Sequence, residues 1–356
     1  MGKTYNILIM GASYGSLLAS KLLFGGHRIK LVCLPAEADL INAEGFRVRL
    51  PVRGGAPVEL DSRKLPGKVS AGGTADVNPK NYDLVGLAMQ EPQYRSPGVR
   101  DLLEAVARAK VPCMSIMNMP PLAYLRRIPG LDAESLKPAY TDASVWSNFD
   151  PALVTLCSPD PQAIRPPEEK VNMLQVTLPT NFKVARFPSG QHTAMLRQLQ
   201  QEIEAIRYDT PDGKVELPVK LKVYDSIFVP LAKWAMLLAG NYRCVTKDGM
   251  RTAQEAVHSD IETSRSVYNF VNDLCVKLGA SPEDLVPFEK YAAAAQSLTR
   301  PASVARALQN GAPNIERADK LVQLIAAQKG MRHPAIDAQV ALVDARLEAN
   351  RNKAAA

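Results

Sequence analysis

A single charge interrupts the apolar run Ile227-Phe-Val-Pro-Leu-Ala-Lys-Trp-Ala-Met-Leu-Leu-Ala-Gly240, and it is Lys233. A helix that is apolar nearly all round is buried, so this lysine must snorkel to the surface, find a carboxylate or face a cavity. In a cavity its ammonium is desolvated, and desolvation suits such a group to donate a proton to a developing oxyanion. A plain helical repeat puts Leu237 and Asn241 on the same stripe as Lys233, with an amide two turns along one wall. A snorkelling lysine at a domain junction is the structural alternative.

Asn118 closes the apolar segment Val111-Pro-Cys-Met-Ser-Ile-Met117 and precedes Met119-Pro120-Pro121. A polar residue at the carboxyl end of a parallel strand points into the crevice where open α/β sheets bind ligands. An asparagine that only shapes a turn explains the position equally well.

At the start of the sequence, the apolar strand Tyr5–Met10 runs into Gly11-Ala-Ser-Tyr-Gly-Ser16 and then into the helical stretch Leu17–Phe24. A glycine turn between strand and helix lets backbone approach a pyrophosphate, and the helix N-terminus attracts its charge. The usual G-x-G-x-x-G is one residue tighter here, with Ser13 at the second position. Gly11, Ser13, Tyr14, Gly15 and Ser16 are the candidate cofactor contacts. A tight turn that binds nothing is the competing explanation.

The elements that must position these residues follow a β-α-β rhythm. Arg28–Leu34 reads as a strand and Glu37–Glu44 as a helix. Phe46–Leu60 reads as one or two strands around Pro51, and Gly67–Asn78 as a polar loop. Tyr82–Met89 and Val111–Met117 are buried strands flanking a helix over Pro97–Lys110. Val171–Leu178 and Phe182–Phe187 read as an extended edge of the same sheet, followed by a helix over Thr193–Ile206. Beyond Leu217 the pattern is nearly all helix: Ser226–Cys244, Thr252–Leu278, Pro282–Leu298, Ala302–Gln309, Ile315–Gln328 and Pro334–Ala349. The expected fold class is α/β, an N-terminal Rossmann-type doubly wound parallel sheet followed by an all-helical C-terminal domain. Residues 1–215 form the expected dinucleotide-binding domain and 216–350 the helical substrate and dimerisation domain.

Composition narrows the function classes. The 356 residues are 46% hydrophobic and 22% charged, enough for a full core. The net charge of +7 is scattered, with no basic run interleaved with aromatics, so no nucleic-acid partner is expected. The five cysteines lie far apart, with no C-x-x-C or Cys/His metal spacing, which points to no metal site and to a reducing cytoplasm. The stretch Ile227–Gly240 is too short to span a bilayer. The four histidines pair with no serine or cysteine nucleophile.

Taken in order, the glycine loop, Asp83-Leu-Val-Gly-Leu-Ala-Met89, Ser115-Ile-Met-Asn118, the lysine-bearing helix and Arg300-Pro-Ala-Ser-Val304 resemble the ketopantoate reductase (2-dehydropantoate 2-reductase) family over most of the chain. The resemblance implies an NADP- or NAD-dependent reductase of small 2-oxo acids. It also implies a Rossmann domain that holds the cofactor and a helical domain similar to that of 6-phosphogluconate dehydrogenases. It makes Lys233 the proton donor and Asn118, Asn241, Ser303 and Glu316 substrate contacts, and it adds Gln90 and Asn118 to the cofactor contacts. Homodimerisation through the helical domain is a further expectation.

The departures from the family pattern are specific. Gln90 stands where the family has lysine, Leu237 where it has asparagine, and Leu34 where a basic residue meets the 2′-phosphate. The family's glutamate falls on Ile315, one residue short of Glu316. The leading expectation is therefore a reductase of a small carboxylate-bearing carbonyl compound other than ketopantoate. A non-catalytic ligand-binding or scaffold protein and an opine-type or imine dehydrogenase stand as alternatives.

Overall fold

The structure is a computed structural model and describes residues 2–52, 55–211 and 213–355. In chain order, β1 (Asn6–Met10), α1 (Ala12–Phe24), β2 (Arg28–Val32) and α2 (Pro35–Glu44) lead into β3 (Arg47–Leu50), β4 (Val58–Asp61) and β5 (Lys68–Gly72). Then come β6 (Leu84–Leu87), α3 (Pro97–Ala109), β7 (Cys113–Ile116), the single turn α4 (Leu122–Leu125), β8 (Val154–Ser158), β9 (Gln162–Ile164), β10 (Met173–Leu178) and β11 (Phe182–Ala185). Helix α5 (Gly190–Glu204), the hairpin β12 (Arg207–Thr210) and β13 (Gly213–Glu216), and β14 (Leu221–Tyr224) follow. The remainder is helical: α6 (Lys233–Met236), α7 (Ala253–His258), α8 (Ile261–Leu278), α9 (Phe288–Ala295), α10 (Ser303–Gln309), α11 (Ala318–Gln328) and α12 (Pro334–Ala355).

Two compact units share the chain. The first takes it as far as Met89, then Gln93–Met117 and Val145–Asp225; the second takes Gln90–Pro92, Asn118–Ser144 and the chain from Ser226 onward.

The first unit is built on an eight-stranded sheet of order β14-β11-β8-β7-β6-β1-β2-β5. From β5 to β8 every neighbouring pair is parallel. β11 joins antiparallel to β8, and β14 runs parallel to β11. Strands β1, β6 and β7 are apolar and buried almost throughout, as the centre of a parallel sheet covered on both faces requires.

Two sequence expectations change here. Lys68–Gly72 lies inside the segment read as a loop, yet it pairs with β2 in register Arg28↔Lys68 to Val32↔Gly72. As the outermost strand it tolerates the polar Lys68 and Ser70 that made the segment look like a loop. The expected sheet edge divides: β11 joins the large sheet, whereas β10 enters a separate four-stranded sheet of order β4-β3-β10-β9.

The second unit replaces the single helix expected over Ser226–Cys244 with four short turns. These are a 3-10 turn at Val229–Ala232, α6, a π-turn at Leu237–Asn241 and a second 3-10 turn at Tyr242–Cys244. Pro230 opens the first, where its missing N–H costs nothing. The helix expected over Thr252–Leu278 divides at Asp260, whose carboxylate accepts the Thr263 N–H at 3.1 Å and caps α8. Around α6 and the π-turn pack α7, α8, α10 and α11. No helix among the described residues is long and apolar enough to cross a membrane. No group of three or more His, Cys, Asp or Glu among them is placed to hold a metal ion.

Candidate active site

In the first unit the glycine turn is sterically determined. Gly11 has φ 103°, and a Cβ there would stand 2.7 Å from the Ala88 carbonyl oxygen, so both backbone conformation and space demand glycine. A Cβ on Gly15 would meet Ile9 Cγ2 at 2.6 Å, so α1 lies closer to β1 than alanine would allow. Gly11 N-caps α1 without a side-chain bond to the first N–H groups, and the first turn carries no acid. The positive end of a helix of 13 residues is thus left for an anion. Ser13 sits half-buried in that first turn. Two predicted contacts spend their hydroxyls on the protein itself: Tyr14 donates to the Pro161 carbonyl and Ser16 to the Ala12 carbonyl. These residues fit the pyrophosphate of a dinucleotide through backbone and dipole.

In the second unit a polar cluster forms from segments remote in sequence. Asn118 donates from Nδ2 to Oε2 of Glu316 at 3.3 Å, and the Glu91 backbone N–H donates to Oε1 of the same carboxyl at 3.4 Å. Ile315 is buried, and Glu316, one residue on, is the side chain that meets Asn118. Oδ1 of Asn118 is buried with no hydrogen-bond partner among the described residues.

Glu91 is 2% exposed and is held by Thr141, whose backbone N–H donates at 2.9 Å and whose Oγ1 donates at 2.8 Å. Burial pushes both carboxyls upward. Glu316 reaches about 7, the Glu91 charge adding to burial and the bonds from Asn118 and the Glu91 N–H opposing it. The backbone at Glu316 is fixed by Tyr242, whose hydroxyl donates to the Glu316 carbonyl and accepts the Ala318 N–H at 2.9 Å. Arg317 next to it is clamped by both oxygens of Asp319, at 2.9 and 3.0 Å, and by Asp344.

Lys233 opens α6 and is half-buried between buried Ala232 and Trp234. Asn241 ends the π-turn, also half-buried, while Leu237 is buried. Two α-turns span about 7.2 residues, so a regular helix would carry the eighth residue past the Lys233 stripe. The chain between Lys233 and Asn241 is not a regular helix but includes the wider π-turn. Ser303, the first residue of α10, is exposed, and α10 packs on the π-turn. Among the described residues it makes no hydrogen bond to Lys233, Asn241, Asn118 or Glu316. Gln90 is exposed.

Glu91, Thr141 and Tyr242 were not read as functional from sequence. An acid directly after a buried strand and before Pro92 was a usable signal for Glu91. The partners of Thr141 and Tyr242, by contrast, are set by the fold alone.

No protein-family model and no curated protein matches the chain. Solved structures do. A 2-dehydropantoate 2-reductase from Methylococcus capsulatus superposes with TM-score 0.64 at 14% identity, covering 97% of each chain. The chain has the ketopantoate reductase fold. A dimeric ketopantoate reductase from Staphylococcus aureus matches at TM-score 0.62 and 11% identity, over 97% of this chain and 99% of its own. The fold also extends to a D-mandelate dehydrogenase, solved with NADH and anilino(oxo)acetate, at TM-score 0.63 and 14% identity, over 97% of this chain and 99% of that one.

Proposed function

We propose that the protein is an NAD(P)-dependent reductase of a small carbonyl compound bearing a carboxylate, other than ketopantoate itself. The observation that supports this most directly is the Asn118 side chain. One end is committed to Glu316, and the other is a buried acceptor with no donor among the described residues, as a group that orients a ligand would be. The structural neighbours include reductases and dehydrogenases of 2-oxo and 2-hydroxy acids, named for 2-dehydropantoate and D-mandelate.

In this reading the dinucleotide supplies a hydride when bound, its pyrophosphate held by the backbone at Gly11, Ser13 and Gly15. Lys233 holds the proton on Nζ that goes to the substrate's carbonyl oxygen. Asn118, Asn241 and Ser303 orient the substrate, and Glu316 carries a proton near neutral pH. The first unit, which holds most of residues 1–215, serves the nucleotide, and the second, which takes Asn118–Ser144 with the chain from Ser226 onward, serves the substrate and a homodimer contact.

Nicotinamide fluorescence during titration with NADPH and NADH tests the first step. A panel of 2-oxo acids, each with and without an added amine, tests the second. Reduction of an oxo acid that is lost in Lys233→Met supports the proposal; near-native turnover in that variant refutes the role of Lys233. Reduction only with amine present would make the protein an imine dehydrogenase. Failure of both cofactors to bind at millimolar concentration would favour a non-catalytic binding protein, a reading motivated by Ser13, Gln90, Leu237 and Ile315.

A further inference from the structure

In a Rossmann-type sheet the adenosine ribose lies at the carboxyl end of the second strand, where an acid accepts from its diol or an arginine holds a 2′-phosphate. Here β2 is followed by Cys33 and by Leu34, which is 75% exposed, so the strand itself supplies neither group. The fold brings both from elsewhere. Glu37 stands in the first turn of α2. Arg165 comes from just past β9, an edge strand of the four-stranded sheet, and donates from Nη2 to Oε1 of Glu37. Both lie near enough to the Cys33 thiol, with Lys30, for their charges to act on it. Lys30 donates to the Ala71 carbonyl at 2.9 Å, at the neighbouring end of β5.

The two members of the pair differ in what they still offer. The Glu37 side chain is 9% exposed and already accepts from Arg165, so a ribose diol would have to displace a guanidinium to reach it. The Arg165 side chain is 32% exposed, and a guanidinium carries five N–H donors, of which the bond to Glu37 uses one. Lys30 adds a second cation at the end of β5, with the Asp76 carboxylate beside it.

Resting on the cofactor reading above, we propose that Arg165 determines specificity at the adenosine end and selects a 2′-phosphate, hence NADP(H) over NAD(H). Glu37 holds the guanidinium in place and Lys30 adds positive charge.

Calorimetric titration with 2′,5′-ADP and ADP, then with NADPH and NADH, tests this without any turnover. The native protein binds the 2′-phosphorylated member of each pair about tenfold or more tightly, as expected for a charge-assisted arginine–phosphate contact. Arg165→Ala removes that difference by weakening 2′,5′-ADP and NADPH, while ADP and NADH still bind and so show that the variant is folded. Arg165→Lys keeps part of the preference. Glu37→Gln tightens 2′,5′-ADP a few-fold, because an acceptor stays in place and the repelling charge is gone. Equal affinities in the native protein, a preference for NADH, or a preference that survives Arg165→Ala overturns the assignment while the cofactor reading stands. If no member of either pair binds, the cofactor reading falls and the assignment with it.

Discussion

The hydroxyl of Tyr291 lies where a side chain at residue 240 would begin: a Cβ added to Gly240 would stand 1.9 Å from it. That hydroxyl donates to the Met236 carbonyl at 3.1 Å, at the start of the π-turn, and its ring stacks on Tyr268 at 5.3 Å. Glycine and tyrosine together thus make room for an unusual helical turn and satisfy a carbonyl at its edge.

Gly240→Ala forces the hydroxyl out of this space, and both groups are buried. Overpacking of this kind costs about 1–3 kcal/mol, to be measured by urea unfolding. Tyr291→Phe removes the clashing oxygen, so the double variant Gly240→Ala/Tyr291→Phe should lose less stability than the two single losses added together. Strict additivity, or a Gly240→Ala variant as stable as the native protein, would contradict this packing.

The Glu316 carboxyl gives a prediction with a definite sign. Its folded value of about 7 lies above the ordinary 4.5, so the folded chain holds a proton that the unfolded chain releases between those two pH values. The stability this group contributes is complete below pH 4.5 and is lost as pH rises through about 7. Glu316→Gln keeps acceptor and shape while removing the titration. Native stability should therefore fall relative to the variant across that window, read from paired denaturation curves. A constant difference from pH 4 to pH 8 would place the carboxyl in an unperturbed environment.

Thr141 supplies two of the bonds that hold the buried Glu91 carboxylate. Thr141→Val removes the hydroxyl and leaves the backbone N–H. A hydrogen bond to a charged group is worth about 1.5–3 kcal/mol, and the melting temperature should drop accordingly. Thr141→Ser retains the hydroxyl and should recover most of the loss. If Thr141→Val melts with the native protein, Glu91 does not depend on this bond.

The features legible in the sequence share one property: their causes are local. Gly11 marks a turn because its own φ of 103° suits glycine, and α3 announces itself through Leu102, Leu103 and Val106 on one face. The π-turn was hidden because Tyr291, 55 positions after Met236, bonds to its first carbonyl. Lys68–Gly72 hid because a strand at the outer edge keeps polar residues that resemble a loop. Arg165 hid as a partner for the end of β2 because it arrives from another sheet.

Lys21 carries the last prediction. It lies on α1 at 1% exposure and donates to the Pro218 carbonyl at 2.6 Å, beside Val219, whose φ of 65° is strained for a β-branched residue. Burial, with the Lys220 charge behind it, pushes the amine down from 10.5 to about 7. Between those pH values the unfolded chain binds a proton that the folded chain lacks, so native stability rises with pH through the window and levels off above it. Lys21→Met cannot titrate. The stability of the native protein minus that of Lys21→Met should accordingly climb by a few kcal/mol from pH 7 to pH 10.5 and stay flat below pH 7. A difference that does not vary with pH would show that the amine reaches water in the folded state.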